Sequence, residues 1–275
     1  MPPVAMIKVN EIPVSCDVRV TVADLAQAHK PGADVFIVNG YPAGPETVLV
    51  DGDQCWLIRK GEVPSADEME RLLYARHTPG VHDRVKEARV GIMGLGGLGS
   101  MVVTALARVG VGHLLIADYD VVEPSNLNRQ QYFINQVGMA KTDATIENLA
   151  RINPYLQVTP YRELLDQNRI EAIFAGVDVL VECFDSAAAK AMALNTVLGR
   201  MPNTPFVCAS GLAGFYENDR ISTLTLRPGV YMVGDRQSAA RPGDGLMAPR
   251  VGIAAHHQAN QVLRILLGAE AGRQL

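Results

Sequence analysis

From Arg89 onward, short apolar runs alternate with polar, glycine-containing breaks. Arg89–Met93, Leu114–Ala117, Val177–Val181 and Phe206–Ala209 have the length and flanks of buried strands. The longer stretches Met101–Val109, Thr142–Ala150 and Ala187–Leu198 predict helices between them. Strand and helix in alternation predict an α/β domain around a largely parallel sheet. Arg220–Leu226 changes the rhythm, because its apolar and polar positions alternate as in an antiparallel strand, so the sheet is predicted to be mixed. A closing helix, Ala254–Leu267, carries Val262, Leu263, Leu266 and Leu267 at helical spacing. His256 and His257 stand near its start. Two adjacent histidines on a helix cannot both face one metal, so they read as structural or loop-contacting residues.

The first sixty-odd residues have a different pattern. Met6–Glu11 and Ser15–Val20 predict two short strands, Val22–Ala28 a helix capped by Thr21, and Asp34–Val38 a third strand before the turn Asn39-Gly40. Thr47–Val50, the turn Asp51-Gly52-Asp53 and Gln54–Arg59 complete a hairpin-rich unit. This divides the chain at 1–63 and 64–275. Ser65 is placed to cap a connecting helix, Ala66–Ala75, with Leu72 and Leu73 inward and Arg71 and Arg76 near its end.

The stretch Gly94-Leu95-Gly96-Gly97-Leu98-Gly99-Ser100 joins the strand Arg89–Met93 to the following helix. Glycines allow a tight turn and close backbone approach, and the free N–H groups of a helix start favour an anion, so Gly94, Gly96, Gly97, Leu98 and Gly99 form a phosphate cradle. With an acid after the next strand, Asp118 or Asp120, the motif first reads as a dinucleotide turn. The residues downstream change that reading. The chain runs Asp118-Tyr119-Asp120-Val121-Val122-Glu123-Pro124-Ser125-Asn126-Leu127-Asn128-Arg129-Gln130, then Gly138-Met139-Ala140-Lys141, then Arg151-Ile152-Asn153-Pro154. Hydride transfer has no evident use for this set, whereas splitting a triphosphate needs cations at the departing pyrophosphate and a carboxylate for magnesium. Arg129 and Lys141 supply the cations, and Asp185, in Glu182-Cys183-Phe184-Asp185-Ser186, is the candidate carboxylate. Structural uses stand beside these. Asp118 could cap a strand end, Asn126 form an Asx-turn beside Pro124, Asp185 cap the next helix and Lys141 lie on a solvated face. Asp120 could orient Arg129 or touch the metal.

Taken together, G-L-G-G-L-G-S, D-Y-D, S-N-L-N-R-Q, Gly-x-x-Lys and R-I-N-P resemble the ThiF/MoeB/HesA family, bacterial relatives of ubiquitin-activating enzymes, over roughly residues 68 to 268. The resemblance implies a Rossmann-like nucleotide-binding fold. It also implies ATP-dependent adenylation of the C-terminal Gly-Gly carboxylate of a small ubiquitin-like carrier. In that frame Asp118 holds the ribose, Asn126 and Arg129 contact phosphates, Lys141 reaches them from the next helix and Asp185 binds Mg2+. An arginine upstream of the glycine turn, Arg76 or else Arg71, reaches the neighbouring subunit's ATP site, which implies a homodimer. T-V-A-D-L, V-N-G and L-V-D-G-D-Q-C-W-L-I resemble the β-grasp fold of the ThiS sulfur carrier, so a ThiS-like carrier in thiamine biosynthesis is the expected partner. The fused copy runs Arg59-Lys60-Gly61-Glu62 into further chain instead of ending in Gly-Gly, which excludes it as substrate unless the chain is cut. Many family members carry paired C-x-x-C zinc motifs and some a loop cysteine. Neither is found here, so no zinc is expected and covalent carrier chemistry is in doubt. The corresponding loop, Gly229–Arg250, reads as a lid with Pro242, Gly243 and Gly245 as hinges.

Composition is consistent with these expectations. With 275 residues, 48% hydrophobic, the chain can bury a substantial core. The net charge of -4 comes from interspersed residues, so no footprint for nucleic acid or an anionic membrane surface appears. No apolar run has the length of a membrane span, and the first residues lack the features of a signal peptide, so a cytoplasmic location is expected. Cys16, Cys55, Cys183 and Cys208 are far apart, and Cys183 and Cys208 read as small buried hydrophobes. Two other functions compete with adenylation: an NAD-dependent oxidoreductase using the same turn, and a scaffold that recruits ubiquitin-like partners without turnover.

Overall fold

Alternation along the first strand sets up the N-terminal unit. In β1 (Val4–Val9) every second residue is buried, so Ala5, Ile7 and Val9 face one side while Val4 and Met6 face water. The computed structural model describes residues 4–65, 67–69 and 81–269, which form two compact units divided at His82/Asp83. The predicted helix Ala66–Ala75, with Arg71 and Arg76, therefore lies largely outside the described residues.

In the first unit β1 pairs antiparallel with β2 (Ile12–Asp17). Their hairpin turns at Asn10 and Glu11, both at positive φ, and the strands begin two and three residues earlier than predicted. Thr21 caps α1 (Val22–His29) in a reciprocal box with Asp24. β3 (Val35–Val38) turns through Asn39 and Gly40, again at positive φ, into β4 (Tyr41–Pro42). β5 (Gln54–Ile58) departs from the predicted hairpin. It does not pair with Thr47–Val50; it lies parallel to β1 and antiparallel to β3, giving the order β2-β1-β5-β3-β4. Val48 instead bridges to Thr21. Ile7, Val9, Cys55 and Leu57 pack beneath Val22, Leu25 and Ala26 of α1, the five-strand-plus-helix arrangement of a β-grasp.

The division falls within α2 (Val81–Glu87), and the second unit is built on a seven-stranded sheet. Its strands are β6 (Arg89–Met93), β7 (His113–Ala117), β8 (Gln157–Tyr161), β9 (Val179–Glu182), β10 (Phe206–Ala209), β11 (Ser222–Arg227) and β12 (Val230–Gly234). The order is β11-β12-β10-β9-β6-β7-β8, parallel throughout except for β11, which is antiparallel to β12. The mixed α/β sheet is thus as predicted. The helices are α3 (Gly97–Arg108), α4 (Lys141–Ala150), α5 (Gln167–Phe174), α6 (Ala187–Arg200) and α7 (Ala248–Leu266). α5 and α6 cover one face through a core that includes Met93, Phe174, Leu180, Val197 and Phe206. α7 packs along α3 and against β9, β10 and β12. From β6 the chain passes through α3 to β7 on one side, and later returns through α5 to β9 on the other. The carboxyl ends of β6 and β9 therefore border a crevice, where open α/β sheets bind ligands.

The predicted Gly229–Arg250 loop is not one loop. Val230–Gly234 forms β12, and α7 starts at Ala248 with Pro249 in its first turn, six residues before the expected start. The lid is thereby reduced to the connection 235–247. His256 bonds the Gly252 carbonyl and His257 the Thr223 hydroxyl, the structural roles expected of them. Among the described residues no helix is long and apolar enough to cross a membrane.

Candidate functional site

The glycine turn leaves β6 and enters α3 at the crevice. Gly94 sits at φ +90, backbone that favours glycine, and against the Cys183 carbonyl. A Cβ on Gly99 would overlap the Gly94 carbonyl oxygen, so this glycine allows the helix to start directly on the strand end. Gly96 differs: a Cβ there meets nothing nearer than Gln130 Nε2 at 3.9 Å. It is also the N-cap of α3 and supplies no capping side chain, so the first N–H groups of the helix lack the usual side-chain acceptor. The turn thus combines two sterically required glycines with one whose surroundings are open.

On the β7 flank the predicted residues converge through a folded-back loop. Val121 bridges to Ala140, which brings Asp120 to the start of α4. Lys141, 6% exposed, places Nζ 2.9 Å from Asp120 Oδ2 and donates its backbone N–H to the Asp120 carbonyl. Asp120 therefore pairs with Lys141 and not with Arg129, the partner considered from sequence. Asp118, 8% exposed, accepts the Leu95 N–H at 2.6 Å and the Asp120 N–H at 2.8 Å, tying the strand end to the glycine turn. Asn126 is buried and accepts the Glu123 N–H at 3.1 Å, which is the turn-forming use open to it. Arg129 is half-buried. Its stem runs past Gly97, and Nη1 donates to the Ser125 carbonyl and Asn128 Oδ1. Tyr132 locks this loop onto the turn by donating to the Leu95 carbonyl at 2.8 Å, and the Ser100 hydroxyl accepts the Gln131 N–H.

On the β9 flank Asp185 is exposed and has no hydrogen-bond or ion-pair partner among the described residues. It does not cap α6: Ser186 does, accepting the Ala189 N–H at 3.1 Å. Behind it stands a pair that the sequence did not reveal. Glu182, wholly buried, accepts Lys190 Nζ at 2.9 Å, the Phe184 N–H at 2.6 Å and the Ala209 N–H at 3.2 Å, and its carbonyl accepts Gln258 Nε2. Burial pushes the Glu182 carboxyl above the usual range, while Lys190 and the two N–H groups pull it back down. The signal for this pair was an acid closing an otherwise apolar strand. Its lysine partner lies a further turn and more along the chain and could be found only in three dimensions.

Neither nearby thiol is poised to react. Burial pushes the Cys208 thiol up to about 12 and raises Cys183 as well, with Glu182 adding to both shifts. For magnesium, no cluster of three or more metal-binding side chains occurs among the described residues. A magnesium ion held largely by substrate phosphates and water needs only one or two protein carboxylates, and the unengaged Asp185 meets that requirement.

Both units resemble known proteins. Residues 6–61 match the ThiS-like ubiquitin family and residues 71–274 the ThiF family. The chain is 31% identical over 194 residues to the molybdopterin-synthase adenylyltransferase of Escherichia coli K12, covering 68% of this chain and 76% of that one. It is equally similar, 31% over 192 residues covering 68% and 75%, to the sulfur carrier protein ThiS adenylyltransferase of the same organism. It is 30% identical over 191 residues to the adenylyltransferase and sulfurtransferase UBA4 of Yarrowia lipolytica, aligning 67% of this chain and spanning about half of that protein, 47%. Among solved structures, the tRNA N6-threonylcarbamoyladenosine dehydratase TcdA of E. coli, crystallised with ATP, shares the fold with a TM-score of 0.67 at 20% identity, over 78% of this chain and 100% of the other. A glycine turn at the switch point, basic residues on one flank, a free carboxylate on the other and a family match over most of the length lead to one conclusion: the chain belongs to the ThiF family, with a ThiS-like ubiquitin unit at its N-terminus.

Proposed function

We propose that the chain adenylates the C-terminal carboxylate of a ubiquitin-like sulfur carrier, with a ThiS-like carrier of thiamine biosynthesis as the substrate. One observation carries this reading. The open glycine turn lies between a flank holding Lys141 and Arg129 and a flank presenting an unengaged Asp185. A dinucleotide site has no use for that division of charge.

ATP binds with its phosphates along the turn, where the α3 N–H groups and dipole favour negative charge. Asp118, at the end of β7, takes the ribose hydroxyls with lone pairs its two backbone bonds leave open, and Asn126 and Arg129 flank the phosphates. The carrier carboxylate attacks the α-phosphorus. A new bond forms from its oxygen to phosphorus, the bond to the bridging oxygen breaks, and that electron pair leaves with pyrophosphate. A carboxylate is already ionised near neutrality, so no base is required and positioning with charge stabilisation carries the rate. Lys141 and Arg129 stabilise the departing charge. Asp185 would be the protein ligand for magnesium, which would supply further charge neutralisation there. The family's dimeric arrangement, with Arg76 from one subunit entering the other's site, is part of the same proposal.

The fused ThiS-like unit is not the substrate of this site while the chain remains uncut after Gly61. Lys60 N–H is held by Asp34 Oδ1 at 2.9 Å, and Lys30 pairs with Glu62 and Glu68, so the equivalent of a carrier's free tail is pinned in continuous chain. The choice between ThiS-like and molybdopterin-type carriers is made by experiment, since relatives named for each are equally similar. Incubation with MgATP and each purified Gly-Gly carrier, read by intact mass, is expected to show the ThiS-like carrier heavier by one AMP. A molybdopterin carrier labelled in its place would move the substrate assignment. No labelled carrier together with no carrier-dependent ATP–pyrophosphate exchange would leave the scaffold reading.

A further inference from the structure

The 235–247 connection is fixed by a device that adenylate transfer as derived above does not use. Arg250, 4% exposed, pairs through Nη2 with the buried Asp235 Oδ2 at 2.7 Å. Its Nη1 donates to the carbonyls of Tyr216 at 2.7 Å and Glu217 at 3.2 Å, and the guanidinium lies 5.4 Å from the Tyr216 ring centroid. Asp235 also accepts the Ser238 hydroxyl and the Gln237 and Ser238 N–H groups. Ser238 in turn accepts the Ala213 N–H, Gly214 N–H reaches the Gly245 carbonyl, and Tyr216 donates to Asp244, which Arg241 also holds. The segment 210–217 is thereby bound into one wall with 235–247 and the start of α7, which follow it some twenty residues later in the chain.

This wall stands at the glycine turn. Val251, next to Arg250, lies 3.1 Å from the point a Gly97 Cβ would occupy, and Asn128, next to Arg129, approaches the Leu246 carbonyl at 3.5 Å. Phe215 is 83% exposed, and Tyr216 and Met247 are also exposed. A buried ion pair adds little stability over an apolar replacement; what this one fixes is position. One guanidinium atom, Arg250 Nε, is buried without a partner, so the pair is not the most stable solution for this volume.

We infer that the Asp235–Arg250 pair is a positioning device for the acyl substrate: it sets the wall along which the carrier's C-terminal residues reach the α-phosphate, and Phe215 and Tyr216 are that wall's contact surface. The inference rests on the adenylation reading. Asp235 and Arg250 are positioning residues and touch neither ATP nor the reacting atoms.

The test separates the two substrates in ATP–pyrophosphate exchange, with ATP affinity measured independently by calorimetry. Arg250→Lys keeps the charge and loses the two-pronged contact, and is expected to raise the carrier KM about tenfold, the scale of one lost charge-assisted hydrogen bond, with ATP affinity unchanged. Tyr216→Phe removes only the surface bond to Asp244 and is expected to raise the carrier KM about threefold with an unchanged melting temperature, so it decides the matter if Arg250→Lys does not fold. Variants that keep the wild-type carrier KM, or that lose ATP affinity in step with it, overturn the inference while wild-type exchange stands. A wild type with no carrier-dependent exchange removes the adenylation reading itself, and this inference with it.

Discussion

The two flanks of the glycine turn are built on opposite plans. On the β7 side Asp118, Asp120, Asn126, Arg129 and Lys141 already have protein partners, so their positions are set before any ligand arrives. On the β9 side the buried Glu182–Lys190 pair does the holding, and Asp185, three residues on from Glu182, is left without a partner. One flank is preorganised by being engaged. The other keeps its structural charges on Glu182 and Lys190 and leaves Asp185, the proposed magnesium carboxylate, on a separate residue. Fixed dipoles and charges need no rearrangement during reaction, which suits the cations, while a carboxylate that shares a hydrated metal ion gains nothing from protein donors.

The sharpest way to break this contrast is to exchange roles on the β9 side. Lys190→Met leaves a wholly buried glutamate facing two N–H groups and no cation, and is expected to cost about 3–5 kcal/mol of stability. Asp185→Asn is expected to leave thermal unfolding unchanged while exchange falls about 10²–10³-fold. Unfolding curves and exchange rates on both variants decide the point. A destabilised Asp185→Asn protein, or a stable Lys190→Met protein, would show that the two functions are not divided.

A similar division runs through the glycines. Gly99→Ala forces a methyl group into the Gly94 carbonyl and is expected to destabilise by about 1–3 kcal/mol. Gly96→Ala meets only ordinary contact, so its melting temperature should hold while its ATP affinity falls, because the added methyl occupies space left for phosphate. Calorimetric ATP titration beside thermal melts reads both effects. Equal losses of stability in the two variants would make Gly96 a packing glycine as well.

The sequence showed these local features because local physics writes them. A glycine turn between strand and helix, the Thr21 cap and the Asn39-Gly40 turn each depend on residues within a few positions, and each appears where predicted. What stayed hidden depends on pairing across the chain. Thr47–Val50 and Gln54–Arg59 look like hairpin strands, yet β5 gains more from lying between β1 and β3, where Cys55 and Leu57 reach the core under α1. Val230–Gly234, read as part of a loop, becomes a strand because β10 offers it a parallel edge. Lys141 read as a phosphate cation with a solvated face as the alternative, and its pairing with Asp120 came into view only where Val121 and Ala140 bring the two together. Asp235 and Arg250 gave no signal at all, being separated by a loop of small, polar and glycine residues. Proline at the first turn of α7 was the readable cue to its earlier start.

The β7 flank can be tested more gently. Asp120→Asn removes the charge facing Lys141 and leaves a side chain of nearly the same shape, with Asp120 itself about half exposed. Lys141 is then held only by its place in α4, and exchange is expected to drop about tenfold, the loss of one charge-assisted hydrogen bond, with folding intact. Repeating the substitution in a Lys141→Met background isolates the coupling, since the second change should then cost almost nothing. Additive losses would mean that Asp120 acts on the ligand directly and not through Lys141.

The smallest effect expected anywhere near the crevice comes from its thiols. Burial raises the Cys208 thiol to about 12 and pushes Cys183 in the same direction, so both stay protonated at pH 8. The thiolate fraction grows only as pH rises toward these values, so alkylation at neutral pH should spare both. Treating the folded protein with iodoacetamide at pH 8 and mapping the adducts is expected to find label on the partly exposed Cys16 in preference to Cys55, Cys183 or Cys208, with exchange unchanged. Rapid labelling of Cys183 together with loss of exchange would place an accessible, reactive sulfur beside Asp185 and would show that burial does not hold this thiol protonated.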